Sequence, residues 1–166
     1  TLRGDLAAIL RAFARRRKVE TFIVCTNGLA PARAEALALE FKREFPDPGL
    51  FFQVSLDGLE ATHDTLRGVP GNFARAIETL RRIEALKSQF PNLGAGVLTV
   101  ILERNYTELV ALDDYLRRHV AADLPHGFEL VRDVATTAWN LDPEAAESGV
   151  GPRAPSAPPT EAFARI

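Results

Sequence analysis

Hydrophobic positions along the chain follow two alternating periodicities, which predict helices and strands in turn. Apolar residues of the first segment recur at helical spacing, so residues 5–17 are predicted to form a helix. The residues that mark its apolar face are Leu6, Ile9, Leu10 and Phe13. Residues 21–25 are a short β-branched and aromatic run without polar alternation, which is typical of a strand buried on both faces of a parallel sheet.

The same order of helix and strand continues along the chain. Three further strands are predicted, at residues 50–56, 97–102 and 128–131. Each follows a predicted helix, and these helices begin near Pro31, Asn72 and Asn105. The spacing of Asn105 and Glu108 predicts a capping box at the start of the last helix. Residues 58–71 are predicted to form a loop.

Strands that are joined by helical crossovers predict an α/β fold with a parallel sheet. Two architectures fit this pattern, an open doubly wound sheet and an arc of a β/α barrel. After Trp139 the composition becomes rich in Pro, Ala, Ser, Glu and Gly. Residues 140–166 are therefore predicted to be a loop or disordered linker that ends in the start of a further helix, and residues 1–139 to be the folded domain.

Composition narrows the partners that the chain can be expected to have. Hydrophobic residues make up 46% of the chain, and the formal net charge is −2, which argues against nucleic acid or an anionic membrane as a partner. No apolar stretch approaches the roughly 20 residues that span a bilayer. The single cysteine, Cys25, excludes an internal disulfide, favours a cytoplasmic location and, within an apolar strand, is predicted to lie in the core.

Polar side chains lie where the predicted strands end. Thr26 and Asn27 follow the first strand, Ser55 and Asp57 end the second, and Asn105 follows the third. Ligand sites in parallel sheets lie at the carboxyl ends of the strands, so these residues predict a binding site along one edge. The alternative is that they are ordinary polar residues of surface loops.

Five short motifs occur in an order that resembles the central part of radical S-adenosylmethionine (radical SAM) enzymes. They are Thr26-Asn27-Gly28, Val54-Ser55-Leu56-Asp57-Gly58, His63-Asp64-Thr65-Leu66-Arg67-Gly68, Gly71-Asn72-Phe73, and Thr99-Val100 followed by Asn105. The likeness covers residues 1–135 and is greatest to the branch that includes peptide-modifying maturases and molybdopterin-precursor cyclases.

The resemblance implies an incomplete TIM-like barrel of about six β/α units, a (β/α)6 fold. It implies a [4Fe–4S] cluster held by three cysteines spaced Cys-x3-Cys-x2-Cys, with S-adenosylmethionine bound to the remaining iron. Reductive cleavage of S-adenosylmethionine then gives a 5′-deoxyadenosyl radical that abstracts hydrogen from substrate. A peptide or protein is one substrate class that this branch suggests.

The resemblance also assigns cofactor contacts to the polar strand ends. Ser55 and Asp57 would face the amino and sugar groups of S-adenosylmethionine, and Arg67 would pair with its carboxylate. Asn105 is expected near the ribose, with Thr26 and Asn27 along the same edge. The alternative roles are a loop-stabilising ion pair from Arg67 to Asp64 or Asp57, and a helix cap for Asn105. His63 and Asp64 are interpreted as parts of the loop architecture.

The chain departs from the family pattern at the cluster. It contains neither the three cysteines nor the Gly-Gly-Glu-Pro segment, and residues 1–6 resemble the stretch that follows that segment. The chain is therefore expected to supply the third to sixth barrel strands, to need the missing N-terminal strands as partners, and to be inactive alone. The competing hypotheses are a non-radical α/β domain that binds a small ligand or nucleotide, and a degenerate family member that acts as a binding partner.

Overall fold

Four parallel strands form one sheet in the order in which they occur along the chain. The computed structural model describes residues 4–130. The strands are β1 (Thr21–Thr26), β2 (Gly49–Ser55), β3 (Leu93–Ile101) and β4 (His126–Leu130). Their order is β1-β2-β3-β4, and each neighbouring pair is parallel. The predicted α/β fold with a parallel sheet is confirmed.

Five α-helices connect or precede the strands in the described part of the chain. They are α1 (Leu6–Arg16), α2 (Pro31–Glu44), α3 (Glu60–Arg67), α4 (Asn72–Leu86) and α5 (Leu109–His119), and a 3₁₀ turn (Tyr106–Glu108) leads into α5. The prediction of a loop over residues 58–71 is wrong, because α3 lies within it. The fully buried residue of α3 is His63 rather than an apolar stripe, so hydrophobic periodicity does not reveal this helix.

The hydrophobic core lies on one face of the sheet, between the strands and the helices. Alternate residues of the strands point into it, as the period of a strand requires. The strand residues in this core are Val24, Leu50, Phe52, Val54, Leu93, Ala95 and Val97. They pack against apolar side chains from α1, α2, α4 and α5, including Leu10, Phe41, Leu80 and Leu112.

The opposite face of the sheet carries the other set of alternating residues. We call it the open face, and it includes Ile23, Cys25, Gln53, Ser55 and Leu98. Ile23 is 64% exposed, and Cys25 is also exposed, with its thiol donating to Gln53 Oε1 at 3.3 Å. The predictions that β1 is buried on both faces and that Cys25 lies in the core are therefore wrong. Both faces of β1 are apolar, but helices from the described residues cover only one of them.

Two predictions concern regions at the margins of the described residues. β1 is an edge of the described sheet, as expected for residues 21–25. The predicted domain boundary near Trp139 and the predicted linker over residues 140–166 lie outside residues 4–130, as do the first three residues of the segment at 1–6. Between residues 4 and 130, no helix combines the length and the apolar character needed to cross a membrane.

Candidate functional site

The side chain of Asp57 joins three elements at the carboxyl edge of the sheet, the edge where the parallel strands end. Its Oδ2 forms an ion pair with Arg67 Nη2 at 2.6 Å, at the end of α3. Its Oδ1 accepts a hydrogen bond from the backbone nitrogen of Val100, in β3, at 3.1 Å. The Asp57 side chain is only 7% exposed, whereas the Arg67 side chain is 31% exposed, so the carboxylate is largely shielded from water and the guanidinium is not. The ion pair is the alternative that the sequence offered for Arg67.

The backbone of Asp57 is held as firmly as its side chain. Its N–H donates to His63 Nδ1 at 3.0 Å, and its carbonyl accepts from Asn105 Nδ2 at 2.7 Å. His63 and Asn105 are both fully buried. The turn after β2 is therefore fixed by an acceptor from α3 and by a donor from the loop after β3.

Asn105 organises the loop after β3 and does not cap the following helix. Its Nδ2 also donates to the carbonyl of Val100 at 2.8 Å, and its Oδ1 accepts from the backbone nitrogen of Leu102 at 2.7 Å. No side-chain cap bond from Asn105 is formed. The predicted capping box is wrong, because the side-chain amide of Asn105 forms hydrogen bonds with backbone groups at the end of β3 instead.

Glu108, the other member of the predicted capping box, reaches across to the start of α3. Its Oε2 accepts from the backbone nitrogen of Leu59 at 3.1 Å, and its Oε1 accepts from Thr62 Oγ1 at 2.6 Å. A carboxylate at this position complements the free N–H groups of a helix N-terminus. No sequence pattern predicts this contact, since the partners are 46 and 49 residues apart along the chain.

The environment of His63 keeps its imidazole neutral. Burial is the largest influence and lowers the pKa of His63, with a further lowering from Arg67, while the nearby Asp57 and Asp64 carboxylates oppose the shift. The hydrogen bond from Asp57 also indicates a neutral imidazole, because Nδ1 must carry a lone pair in order to accept from the Asp57 N–H. His63 thus holds its proton on Nε2 and acts as a structural acceptor.

We expect the stability of the protein to fall as the pH drops below the ordinary histidine pKa of about 6.5. Because the pKa of His63 is lower in the folded state, the unfolded chain takes up the proton first, and acid favours unfolding down to that lowered pKa. The measurement is the urea midpoint between about pH 8 and about pH 5.

His63→Asn is the matched variant for this prediction, since an amide oxygen can accept from Asp57 without titrating in this range. The midpoint of this variant should depend less steeply on pH than that of the unmodified protein. Burial also lowers the pKa of His126, and that contribution is present in both proteins. Equal slopes in the two proteins would show that His63 is not the titrating group.

The motif Thr26-Asn27-Gly28 forms a turn that packs on α4. Thr26 Oγ1 accepts from the Gly28 nitrogen at 3.2 Å, and Asn27 Oδ1 accepts from the Leu29 nitrogen at 3.3 Å. Thr79 Oγ1, in α4, donates to the Gly28 carbonyl at 2.8 Å. Thr26 is paired in register with Val54, so it lies on the helix-covered face and not on the open face.

Ser55 lies on the open face at the end of β2. It is half-buried and is paired in register with Leu98 of β3. Of the six predicted contact residues, the structure brings Asp57, Arg67 and Asn105 into one hydrogen-bonded cluster. Ser55 ends the strand that leads into this cluster, whereas Thr26 and Asn27 belong to the neighbouring turn.

The described residues do not form a metal site. Within residues 4–130, no three His, Cys, Asp or Glu side chains lie close enough together to hold a metal ion. The whole sequence contains one cysteine, and its thiol contacts Gln53 on the open face. The resemblance assigns no metal ligand to these residues, because it implies cluster cysteines that this sequence does not contain.

No family model matches the chain, and no curated protein matches it. Its function is therefore inferred from the ordered motifs and from the geometry of the carboxyl edge.

Proposed function

We propose that residues 4–130 are one part of the barrel of a radical SAM enzyme and that they carry part of its S-adenosylmethionine site. In this proposal the [4Fe–4S] cluster is held by residues that do not belong to this sequence. The observation that carries the proposal is a parallel sheet with sequential strand order and a core on one face. The open face of this sheet ends at Ser55 and at the cluster of Asp57, Arg67 and Asn105, which we call the Asp57 cluster.

The order of the strands supports an arc of a barrel over an open doubly wound sheet. In a β/α barrel, successive strands are neighbours, and the helices cover only the outer face. In a doubly wound sheet the strand order reverses, and helices cover both faces. Here the order is sequential, and the core lies on one face. The open face would then be the interior of the barrel.

The residues present do not fit an iron–sulfur cluster. Such a cluster needs several thiolates, whereas the chain has Cys25 alone. Residues 4–130 also hold no group of three potential ligands. The chain therefore does not supply the ligands of such a cluster.

The residues present do fit the amino acid portion of S-adenosylmethionine. Ser55 offers a hydroxyl on the open face, which can accept from an ammonium group. The Arg67 side chain is 31% exposed, and a guanidinium pairs well with a carboxylate. When bound, S-adenosylmethionine supplies the carbon radical after reductive cleavage. The part of this chain is to bind and orient it.

Asp57 and Asn105 have a supporting role in this proposal. Their side-chain polar groups are engaged within the protein, Asp57 with Arg67 and Val100, and Asn105 with three backbone groups. We propose that Asp57 orients the guanidinium of Arg67 and that Asn105 fixes the turn after β2, to which Asp57 belongs. Neither side chain then needs to touch the cofactor.

The reaction class can be tested on the product of the whole coding region that contains this sequence. After anaerobic reconstitution with iron and sulfide, we expect the absorbance of a [4Fe–4S] cluster and formation of 5′-deoxyadenosine from S-adenosylmethionine on reduction. A whole gene product that lacks a Cys-x3-Cys-x2-Cys segment and forms no 5′-deoxyadenosine would disprove the proposal.

In the same protein, Ser55→Ala is expected to weaken S-adenosylmethionine binding by about 2- to 10-fold, the value of one lost hydrogen bond. Equilibrium dialysis gives the dissociation constants. Ser88→Ala is the matched control, because Ser88 is exposed just after the end of α4 and, among residues 4–130, its hydroxyl bonds only to the Ala85 carbonyl. An unchanged affinity in Ser55→Ala would remove Ser55 from the site.

A cavity on the helix-covered face favours the second candidate function, a domain that binds a small ligand without radical chemistry. The cavity has a volume of about 190 Å³ and lies between α1, α2 and the sheet. Thr26 and Arg33 line it, near the carboxyl end of β1. A whole gene product that binds no iron but retains a small molecule through purification would favour this function, and loss of that molecule in Arg33→Ala would place it in the cavity.

A further inference from the structure

A continuous chain of polar groups crosses the protein from α5 to the turn after β2. Asp113 Oδ1 lies 3.0 Å from His126 Nδ1, and His126 Nε2 lies 2.8 Å from Thr99 Oγ1. Thr99 Oγ1 in turn donates to the carbonyl of Leu56 at 2.5 Å. The His126 side chain is 1% exposed, and Thr99 is fully buried. This chain of polar groups ends at Leu56, one residue before Asp57.

Carboxylate, imidazole and hydroxyl are the groups of a nucleophilic triad, but the surroundings of Thr99 exclude that role. A nucleophile must be reached by substrate, and Thr99 is fully buried. Its oxygen is also engaged with a backbone carbonyl on one side and with His126 on the other. The chain of groups therefore acts on the structure of the protein rather than on a substrate.

The number of hydrogens available for hydrogen bonding between these polar groups depends on the charge of His126. The Thr99 hydroxyl has a single hydrogen, and the Leu56 carbonyl can only accept it. When Thr99 donates to Leu56, the contact between His126 and Thr99 requires a hydrogen on Nε2. The contact with the Asp113 carboxylate requires one on Nδ1. All three hydrogen bonds can therefore exist together only when the imidazole is a cation.

A neutral His126 changes the partner of the Thr99 hydroxyl. Asp113 retains the hydrogen on Nδ1, since a carboxylate repels a lone pair. Nε2 then becomes an acceptor, and the hydroxyl of Thr99 turns towards it. The Leu56 carbonyl loses its hydrogen bond as a result.

We propose that His126 is a pH-dependent latch, which directs the Thr99 hydroxyl to the Leu56 carbonyl when charged and withdraws it when neutral. The turn that the latch controls continues directly into Asp57, which holds Arg67 at 2.6 Å and Val100 at 3.1 Å. Protonation near α5 is thereby transmitted to the carboxyl edge of the sheet. The latch does not depend on the reaction proposed above.

The groups around His126 come from three elements. His126 faces Asp113 and Arg117 of α5 and Thr99 of β3. On its own strand, the ring centroid of Phe128 lies 4.3 Å from that of His126. Asp114 of α5 lines a surface groove together with Asp113, Arg117 and His126. Burial is the largest influence and lowers the pKa of His126, Asp113 opposes this shift, and Arg117 adds to it.

The carboxylate of Asp113 is ionised across the range in which the latch works. Burial alone would raise the pKa of Asp113, but hydrogen bonds from Arg117 and His126 together lower it. The charged state of the latch consequently forms on the acidic side of the ordinary histidine pKa of about 6.5.

Nuclear magnetic resonance of the full chain in a His63→Asn background tests the latch. This background removes the other imidazole that bonds to the turn. Between about pH 8 and about pH 5, the ring nitrogens of His126 should change from one protonated nitrogen to two. The Leu56 carbonyl carbon signal should move with the same midpoint in this protein and in Thr99→Ser, and should not follow His126 in Thr99→Val.

Three results would overturn the latch. They are ring nitrogens of His126 that do not titrate, a Leu56 signal whose midpoint differs from that of His126, and a Leu56 signal that follows His126 equally in Thr99→Val. If Thr99→Val does not fold, the first two measurements on the His63→Asn protein decide the question. Coincident midpoints that persist in Thr99→Ser support the latch, and separate midpoints reject it.

Discussion

Replacing Asp57 with alanine is expected to lower the free energy of unfolding by about 2–4 kcal/mol. The change leaves the part-buried backbone nitrogen of Val100 without its partner, which costs about 1–3 kcal/mol. It also removes the ion pair with Arg67, whose side chain is 31% exposed. Because Arg67 can still reach water, this second loss contributes about 1 kcal/mol, less than for a fully buried pair.

Urea unfolding of the alanine variant measures this effect, and two further variants resolve its parts. Asp57→Asn keeps an oxygen that can accept from Val100 but loses the charge, so it should cost about 1–2 kcal/mol. Asp123→Ala is the matched control, because the Asp123 side chain is 82% exposed, and its cost should stay within about 0.5 kcal/mol. Equal stabilities for Asp57→Ala and Asp123→Ala would show that the Asp57 cluster does not support the carboxyl edge.

The regular elements were largely predictable because their apolar residues recur with the period of a helix or strand. The start of β3 was not, since β3 begins at Leu93, whereas the pattern placed it at Val97. Gly94 and Gly96 precede the β-branched run that begins at Val97, and glycine is a weak strand former. Pairing with the neighbouring strand, in which Leu50 is opposite Leu93, overrides that local preference.

The position of the candidate site was predictable to the level of an edge of the sheet. Asp57 and Asn105 both follow strand ends, and parallel pairing brings such ends together. Their mutual contact was not predictable, because Asn105 satisfies the carbonyl of a residue 48 positions away. The hydrogen bonds of Thr99 were not predictable for the same reason, since its partners, His126 and Leu56, lie on β4 and after β2.

The exposure of Cys25 illustrates a different limit of sequence patterns. An apolar run without alternation predicts burial on both faces only if both faces are covered. Ile23 and Cys25 satisfy the pattern, yet they lie on the open face. A local pattern therefore reports what a strand can bury, whereas the arrangement of helices decides what it does bury.

Gly28→Ala is expected to be the most destabilising single methyl addition at the candidate site, with a loss of about 2–5 kcal/mol in the free energy of unfolding. Gly28 has φ +72°, a left-handed conformation that costs an alanine about 1–2 kcal/mol. A Cβ at this position would also lie 2.7 Å from Ala76 Cα and 2.9 Å from Ala76 Cβ. The backbone of α4 must then move away, at a cost of about 1–3 kcal/mol.

Gly68→Ala separates the two parts of this cost. Gly68 has a similar φ of +64°, but a Cβ there would meet nothing within 4 Å, so only the conformational cost of about 1–2 kcal/mol applies. The difference between the two variants in urea unfolding measures the contact between the turn and α4. Movement of α4 would also break the Thr79 hydrogen bond to the Gly28 carbonyl. If Gly28→Ala were no less stable than Gly68→Ala, the turn after β1 would be free to move away from α4, and close packing would not be the reason for glycine at this position.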